Sequence, residues 1–248
     1  RTDSPFDNVE GLTPGKPVPN IWTVIQSWIM ALPTASEAQK QRRDRLRKEL
    51  KWVLTKLGDC SGVGEEPFVY GHCDLLSGNV IIQPYATTNS NDASNAADGE
   101  ACKGVAESCE VSFIDYEYST PAPAAFDIAN HFAEWGGFDC DYNKIPTRQQ
   151  RLDFLRAYAT SYNKHLDRPA ARVDADVETL HAEIDAFRGI PGFYWGIWAL
   201  IQATISDIDF DYASYAEVRL GEYWAWKAEF EGTRGQEEEL CLRERRWA

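Results

Sequence analysis

The sequence predicts a mostly helical α+β fold in which a small β hairpin carries the chemistry. Apolar residues recur at helical spacing through most of the 248-residue chain, whereas short apolar runs next to turn residues occur around residues 68–82 and 111–118. A chain of this length with a hydrophobic fraction of 44% can bury a sizeable core in one large domain. We therefore expect helices to form the body of the fold and the hairpin to hold the functional residues.

Seven helices are predicted from apolar stripes and boundary residues. Thr34 with Glu37, and Thr147 with Gln150, have the spacing of a capping box, which marks the start of a helix. The predicted helices cover residues 20–32, 35–57, 124–135, 148–166, 175–188, 193–206 and 212–231.

Three further segments interrupt or follow these helices. Gly189, Pro191 and Gly192 break the helical pattern between the fifth and sixth helices. Residues 84–110 are rich in Asn, Ala, Ser and Asp and have few large apolar side chains, which predicts a flexible insertion. Residues 232–248 are charged, and we expect them to form a frayed tail.

The stretch FVYGHCDLLSGN, residues 68–79, contains the first candidate site. A short apolar run leads into a turn with His72, Asp74 and Asn79, which matches the H-x-D-L-x-x-x-N pattern of protein-kinase catalytic loops. In such a loop the carboxylate meets the attacking hydroxyl, and the amide oxygen five residues later reaches a Mg²⁺ ion on the phosphates. This motif alone leaves open a plain hairpin turn with a capping Asp.

The second motif is VSFIDYEY, residues 111–118, an apolar run that ends in Asp115 and Glu117. In kinases an Asp that binds Mg²⁺ follows the catalytic loop after a strand, and Asp115 occupies that place. Because both motifs occur in kinase order, phosphoryl transfer is favoured over a solvated strand end.

The helix predicted at residues 124–135 has an informative polar face. Asp127, Asn130, His131 and Glu134 lie at positions i, i+3, i+4 and i+7 and therefore form one stripe. A solvated helix face is the alternative. Since the helix begins soon after Asp115, we expect its stripe to border the same cleft.

Composition excludes several classes of partner. The formal net charge of −14 argues against nucleic acid and anionic membrane surfaces and suits a cationic small substrate. No apolar run reaches the ~18 residues needed to span a bilayer, so no membrane insertion is expected. The six cysteines show neither a C-x-x-C pair nor a zinc-site spacing, which favours free thiols in a reduced, cytoplasmic protein.

Three separated motifs resemble the choline/ethanolamine kinases: HCDLLSGN at 72–79, FIDYEYSTPAPAAFDIANHFAEW at 113–135 and YWGIWALIQATIS at 194–206. The resemblance covers nearly the whole chain apart from the insertion and the tail. It implies that residues 1–248 form the C-terminal lobe of the protein-kinase-like fold. No Gly-rich loop followed by a strand Lys occurs in these residues, so we expect the N-terminal nucleotide-binding lobe to be absent from them.

The resemblance also implies roles for individual residues, with ATP as co-substrate and Mg²⁺ as cofactor. Asp74 is similar to the catalytic base, and Asn79 and Asp115 are similar to the Mg²⁺ ligands. His72 and Asp127 are similar to residues that support the catalytic loop. The positions that match the acidic and aromatic amine pocket of the family are Tyr118, Glu134, Trp195, Trp198 and Tyr215. Plain core packing is the alternative for these aromatic residues.

The leading hypothesis is an ethanolamine kinase, which would transfer phosphate from ATP to the hydroxyl of ethanolamine as the first step of phosphatidylethanolamine synthesis. Leu75 and Leu76, and the segment GGFDCDY after Trp135, resemble the ethanolamine-kinase version of the family motifs. Cys73 departs from the family, which usually has Asn there. Choline kinase is the close alternative.

A non-catalytic lone lobe that acts as a binding module is the alternative from a different class. The intact Asp74, Asn79 and Asp115 argue against such a degenerate protein. Because the nucleotide-binding lobe is missing, we expect residues 1–248 to fold but not to transfer phosphate on their own. The sequence leaves open whether the chain forms a homodimer.

Overall fold

The computed structural model describes residues 18–84, 109–235 and 239–248, which are mostly helical with four short strands. This architecture confirms the predicted α+β class. The helices are Ile21–Ala31 (α1), Glu37–Leu57 (α2), Ala124–Glu134 (α3), Arg148–His165 (α4), Val173–Phe187 (α5), Ile190–Ile205 (α6), Tyr212–Phe230 (α7) and Leu242–Trp247 (α8). The strands are Val69–Gly71 (β1), Val80–Pro84 (β2), Cys109–Phe113 (β3) and Thr120–Ala122 (β4).

The core is built around α6, which packs against α1, α3 and α7. Its side chains Phe193, Tyr194 and Ile197 are fully buried, and their burial is the main favourable term for assembling these helices. Because α6 also contains Trp195 and Trp198, the central helix links the core to the predicted amine pocket.

Of the two capping boxes, one is confirmed and the other is wrong. The hydroxyl of Thr147 accepts a hydrogen bond from the Gln150 amide, as predicted. At α2, however, Ser36 is the N-cap and exchanges hydrogen bonds with Gln39, so the predicted pair of Thr34 and Glu37 does not form. The S-x-x-Q pattern two residues later has the same chemistry and is the one the helix uses.

The interruption predicted at residues 189–192 is shorter than expected. Helix α6 begins at Ile190, so Pro191 lies in its first turn, where a missing N–H removes no helical hydrogen bond. Gly192 lies within α6, and a residue without a side chain is needed there because α7 packs very close to it. A Cβ at this position would lie 2.5 Å from the carbonyl oxygen of Arg219.

The strands form two small antiparallel sheets. Strand β1 pairs with β4, with Val69 opposite Ala122, and β2 pairs with β3, with Val80 opposite Phe113. The catalytic-loop motif therefore connects two separate sheets, whereas the sequence predicted that it lies in one hairpin. The ends of the predicted insertion, at residues 84 and 109–110, belong to β2 and β3, and the rest of it lies outside the described residues.

The predicted frayed tail is wrong for the last residues of the chain. Helix α8 docks through Trp247, which is 4% exposed. The Trp247 indole donates to Asp185 at 2.6 Å, and Arg151 donates to the Trp247 carbonyl at the same distance. A single aromatic anchor on a short amphipathic helix was too little signal to identify from sequence. None of the described helices is both long enough and apolar enough to cross a membrane.

Candidate active site

The backbone of the catalytic-loop motif is held by the first turn of α3. The Asp127 carboxylate accepts hydrogen bonds from the amide of Cys73 at 2.7 Å and from that of His72 at 3.2 Å. Cys73 has a φ of 63°, a left-handed conformation that is unfavourable for a residue with a side chain. The two hydrogen bonds therefore stabilise a strained segment immediately before Asp74.

Two further residues of the α3 stripe contact the same loop. Asn130 donates from its amide to the carbonyl of Cys73 at 2.9 Å. His131 donates from Nδ1 to the carbonyl of Leu75 at 2.7 Å, while its Nε2 accepts from the Trp135 indole at 3.3 Å. This assignment fixes the neutral tautomer, and burial lowers the pKa of His131, which favours the same form.

Three members of the α3 polar stripe, Asp127, Asn130 and His131, form hydrogen bonds with the backbone of the catalytic-loop motif. The stripe therefore borders the loop, as predicted. The sequence marked Asn130 and His131 only as members of the stripe and gave them no role. Their i, i+3, i+4 spacing on a helix close to the loop was the available signal.

Asp74 and Asn79 lie together inside the loop. Both residues are 8% exposed, and the Asn79 amide nitrogen donates to the Asp74 carbonyl at 2.9 Å and to its carboxylate at 3.2 Å. Burial raises the pKa of Asp74 to about 7, with the negative charges of Glu134 and Asp115 adding to the rise and the Asn79 hydrogen bond opposing it. Glu134 and Asp115, from separate elements, therefore lie close enough to Asp74 for their charges to act on its carboxyl group.

Asp115 lies at the end of β3 and is tied to the loop through its neighbours. Ile114 donates its amide to the carbonyl of Asn79 at 3.1 Å, and its own carbonyl accepts from Nε2 of His72 at 3.0 Å. Asp115 itself has a φ of 65° and an exposed side chain. His72 thus connects the catalytic-loop motif to the strand end that presents Asp115.

The donors available for a metal ion at this site are oxygen atoms. The Asn79 amide nitrogen is engaged by Asp74, which leaves its side-chain oxygen as an acceptor, and the Asp115 carboxylate is exposed. Hard oxygen ligands of this kind fit Mg²⁺, which is usually held by one or two carboxylates together with substrate phosphates. In the described parts of the chain, no group of three or more His, Cys, Asp or Glu residues could hold a metal without such additional ligands.

Tyr118, Trp195 and Trp198 form a continuous aromatic cluster next to the loop, in which Trp195 is buried and the other two rings are half-buried. The Tyr118 and Trp195 rings are 5.5 Å apart, the two Trp rings are 5.4 Å apart, and the Trp198 indole donates to the Tyr118 hydroxyl at 2.9 Å. The Trp195 indole donates to Asn130 at 2.8 Å, and Asn130 in turn binds the Cys73 carbonyl. The aromatic cluster and the catalytic-loop motif are therefore joined through the Asn130 side chain.

Tyr215 lies in a neighbouring aromatic group. Its ring is 5.6 Å from Phe210 and 5.8 Å from Phe138, and it clusters with Trp198 across Ala199. Phe138 belongs to the GGFDCDY segment and is 56% exposed. The structure thus brings all four predicted aromatic pocket residues to one region, and it adds Phe138, which the sequence did not single out.

Glu134 differs from expectation because it already has a cationic partner. Its Oε1 accepts from Nη2 of Arg219 at 3.1 Å, and the two side chains are 8% and 1% exposed. Burial raises the pKa of Glu134, and the positive charge of Arg219 opposes that rise. Arg219 was missed from sequence because its partner is 85 residues away in the chain, and helix α7 shows only a mixed pattern around it.

Comparisons with known proteins identify the family of this chain. Residues 8–224 match the family model described as choline/ethanolamine kinase. The chain is 37% identical over 225 residues to an ethanolamine kinase of Drosophila melanogaster, and the match covers 87% of this chain and 38% of that protein. It is 33% identical over 226 residues to ethanolamine kinase 1 of Homo sapiens, where the match covers 86% of this chain and 44% of the relative.

Solved structures of an ethanolamine kinase and a choline kinase have a similar fold. The fold is similar to that of an ethanolamine kinase of Plasmodium vivax, with a TM-score of 0.59 and 28% identity over 83% of this chain and 49% of that one. A choline kinase of Cryptosporidium parvum shares the fold at 18% identity, with a TM-score of 0.55 over 92% of this chain and 62% of that one. The chain spans about half the length, or less, of these ethanolamine kinases. On the match over residues 8–224, the chain belongs to the choline/ethanolamine kinase family.

Proposed function

We propose that this chain supplies the substrate-binding, base and metal-binding half of an ATP-dependent ethanolamine kinase. The observation that carries the proposal is the position of Asp74, held in a loop braced by α3 and facing the charges of Glu134 and Asp115. The names of the relatives from Drosophila melanogaster and Homo sapiens support ethanolamine as the substrate. The product, phosphoethanolamine, would enter phosphatidylethanolamine synthesis in the cytoplasm.

In this proposal Asp74 is the general base. It accepts the proton of the ethanolamine hydroxyl as that oxygen bonds to the γ-phosphorus of ATP and the bond to the β-phosphate oxygen breaks, releasing ADP. A base with a pKa near the working pH is well matched to this task, and the pKa of Asp74 is about 7. The Asn79 amide orients the carboxylate by donating to one of its oxygens.

Asn79 and Asp115 would hold Mg²⁺ through their side-chain oxygens. The ion supplies charge neutralisation on the phosphates when it is bound. His72 keeps the two ligands in fixed relation because it bonds the carbonyl next to Asp115 from within the loop.

Recognition of the amine is assigned to Glu134 and the aromatic cluster. A primary ammonium has three N–H donors and is bound well by a carboxylate, and the faces of Tyr118, Trp195 and Trp198 add cation–π attraction. Those same rings favour the second candidate function, choline kinase, since a trimethylammonium group binds aromatic faces without donating hydrogen bonds.

The proposal is tested on the complete protein that contains this sequence, by following phosphoethanolamine and ADP formation from ethanolamine and Mg·ATP. We expect Asp74→Asn to lower kcat by roughly 10²–10⁴. Asp153→Asn, at an exposed position on α4, serves as the control and should leave kcat unchanged. A fully active Asp74→Asn variant would contradict the assignment of the base.

The lone-lobe interpretation has its own test. We expect residues 1–248 alone to fold and to release no ADP, since no Gly-rich loop and strand Lys are present to hold the β- and γ-phosphates. Transfer to ethanolamine by this chain, in a preparation free of other kinases, would show that nucleotide is bound without that lobe. If the complete protein binds amines without phosphorylating them, the binding-module alternative is correct.

A further inference from the structure

Six side chains, five of them buried and the last 13% exposed, form a continuous ionic network from the amine region to the C-terminal helix. Acidic and basic groups alternate along it. In spatial order the members are Glu134, Arg219, Glu222, Arg243, Glu244 and Arg188.

The first half of this ionic network lies between α3 and α7. Nη2 of Arg219 is 3.1 Å from Oε1 of Glu134, and its Nε is 3.4 Å from Oε2 of Glu222. The Arg219 side chain is 1% exposed and that of Glu222 is 4% exposed. Arg219 therefore joins the predicted amine carboxylate to a second acidic group that does not reach the cleft.

The second half ends on α8. Nε of Arg243 is 3.8 Å from the same Glu222 oxygen, and its Nη1 is 3.1 Å from Glu244. Arg188, which follows α5, is 2.8 Å from the other oxygen of Glu244 and 3.8 Å from the exposed carboxylate of Asp185. The C-terminal helix is thus linked to Glu134 by consecutive ion pairs that run through Arg219, Glu222 and Arg243.

Stability alone does not explain so many buried charges. Taking ions out of water costs several kcal/mol each, and apolar replacements of buried ion pairs are often neutral or stabilising. A buried carboxylate next to an arginine does, however, stay ionised where an isolated one would take up a proton. Maintaining a charged, oriented carboxylate at the cleft is a property that an apolar core could not provide.

The hydrogen bond from Arg219 determines the orientation of the Glu134 carboxylate. Arg219 occupies Oε1, and no hydrogen bond to Oε2 occurs among the described residues. Arg219 therefore holds the Glu134 carboxylate through Oε1, and Oε2 is the oxygen that we assign to the amine. Helix α6 packs closely against Glu222, since a Cβ at Gly192 would lie 3.2 Å from Oε2 of Glu222.

We propose that Arg219 is a positioning residue for amine recognition, which holds Glu134 ionised and oriented, and that Glu222 of α7 and Arg243 of α8 hold Arg219 in place. The inference rests on the proposed function, since it assigns a task to the same amine site. It predicts that the C-terminal helix affects the KM for the amine although its residues lie outside the predicted pocket.

The experiment is a double-mutant cycle on the complete enzyme, with Arg219→Gln, Glu134→Gln and the combined variant. We expect Arg219→Gln to raise the KM for ethanolamine about tenfold, since removing one partner of a buried pair leaves the other unpaired. The KM for ATP should stay within about twofold, because Glu134 and Tyr215, which Arg219 contacts, both belong to the predicted amine pocket. On the Glu134→Gln background, Arg219→Gln should have little further effect on the KM for ethanolamine.

Lys227→Met is the matched control. Lys227 lies two turns further along α7 and forms a partly buried pair with Glu49 of α2 at 2.5 Å, with side chains 15% and 14% exposed. Its loss removes a partly buried ion pair from the same helix, and we expect no change in the KM for ethanolamine. Arg243→Gln should raise that KM in the same direction as Arg219→Gln but by a smaller factor.

If Arg219→Gln fails to fold, Arg219→Lys tests the inference in its place. The lysine keeps the positive charge but cannot reach both Glu134 and Glu222, so we again expect a rise in the KM for ethanolamine. An unchanged KM, or equal effects of Arg219→Gln with and without Glu134→Gln, would overturn the inference and leave the proposed function standing. If the wild-type enzyme phosphorylates no amine, the proposed function fails and this inference fails with it.

Discussion

The Asp127 carboxylate bridges two consecutive amides, those of His72 at 3.2 Å and Cys73 at 2.7 Å, and it does so from the first turn of α3. The residue that follows these amides is Asp74. A helix that begins after β4 thus fixes the conformation of a loop that begins after β1, and the two strands pair with each other. The position of the proposed base is therefore set by tertiary contacts and not by the loop alone.

Replacing Asp127 tests this bracing contact. We expect Asp127→Ala to lower the free energy of unfolding by ~3 kcal/mol, because two amide donors and a left-handed Cys73 lose their charged acceptor. Urea denaturation of residues 1–248 measures the change. Asp153→Ala, at an exposed position, should change stability by no more than ~0.5 kcal/mol. A loss for Asp127→Ala as small as that of the control would mean that the loop holds its shape unaided.

The raised pKa of Asp74 predicts a dependence of stability on pH. Its pKa rises from 3.8 to about 7, chiefly through burial and then through Glu134 and Asp115, so between these values the folded chain binds more protons than the unfolded chain. Ionising Asp74 therefore destabilises the fold as pH rises. Asp74→Asn cannot ionise, and we expect it to be more stable than wild type by ~1–2 kcal/mol at pH 8, after allowing for solvent screening, and by less at pH 5.

Urea unfolding at the two pH values checks this prediction. Asp209→Asn removes one negative charge at an exposed position and controls for the change in net charge. A stability difference for Asp74→Asn that is the same at pH 5 and pH 8 would mean that the Asp74 carboxyl titrates near its ordinary pKa in the folded chain.

The docking of α8 predicts a large effect at Trp247. The ring is 4% exposed, lies 4.3 Å from the guanidinium of Arg151 and donates to Asp185. We expect Trp247→Ala to lower the free energy of unfolding by ~3–5 kcal/mol in urea denaturation. Leu242→Ala, on the same helix at a position 41% exposed, should cost less than ~0.5 kcal/mol. If both variants matched wild type, the C-terminal helix would be detached in solution.

The features predicted well from sequence are those fixed by short spacings. The order of Asp74, Asn79 and Asp115 within two motifs, and the i, i+3, i+4 stripe of α3, follow from local geometry that a sequence displays directly. The helices were found for the same reason, although the start of α2 was wrong because Thr34 and Ser36 each open an acceptable capping pattern.

What could not be predicted depends on contacts between distant parts of the chain. The pairing of β1 with β4 separates the catalytic-loop motif from the hairpin that the sequence suggested, because a strand gives no sign of its partner. Arg219 binds Glu134 across 85 residues, and Trp247 binds Asp185 across 62. Neither contact leaves a periodic pattern, so the ionic network and the docked tail became visible only in the folded chain.

The last prediction concerns the choice between ethanolamine and choline, and we expect the complete enzyme to prefer ethanolamine in kcat/KM by at least ~tenfold. Glu134 offers its Oε2 as an acceptor, which a primary ammonium can use and a trimethylammonium cannot. Choline would gain the charge attraction of Glu134 without a hydrogen bond, together with the aromatic faces, each contributing ~0.5–2 kcal/mol. Steady-state kinetics with both amines on one enzyme preparation measure the ratio.

Two variants separate the contributions behind that ratio. Glu134→Gln should lower kcat/KM for ethanolamine more than for choline and narrow the preference, because only ethanolamine loses a charge-assisted hydrogen bond. Trp198→Leu should lower kcat/KM for choline more, since it removes a cation–π face that choline cannot replace with an N–H donor. Equal kcat/KM for the two amines in the wild-type enzyme, or a preference for choline, would reverse the substrate assignment and favour choline kinase within the same family.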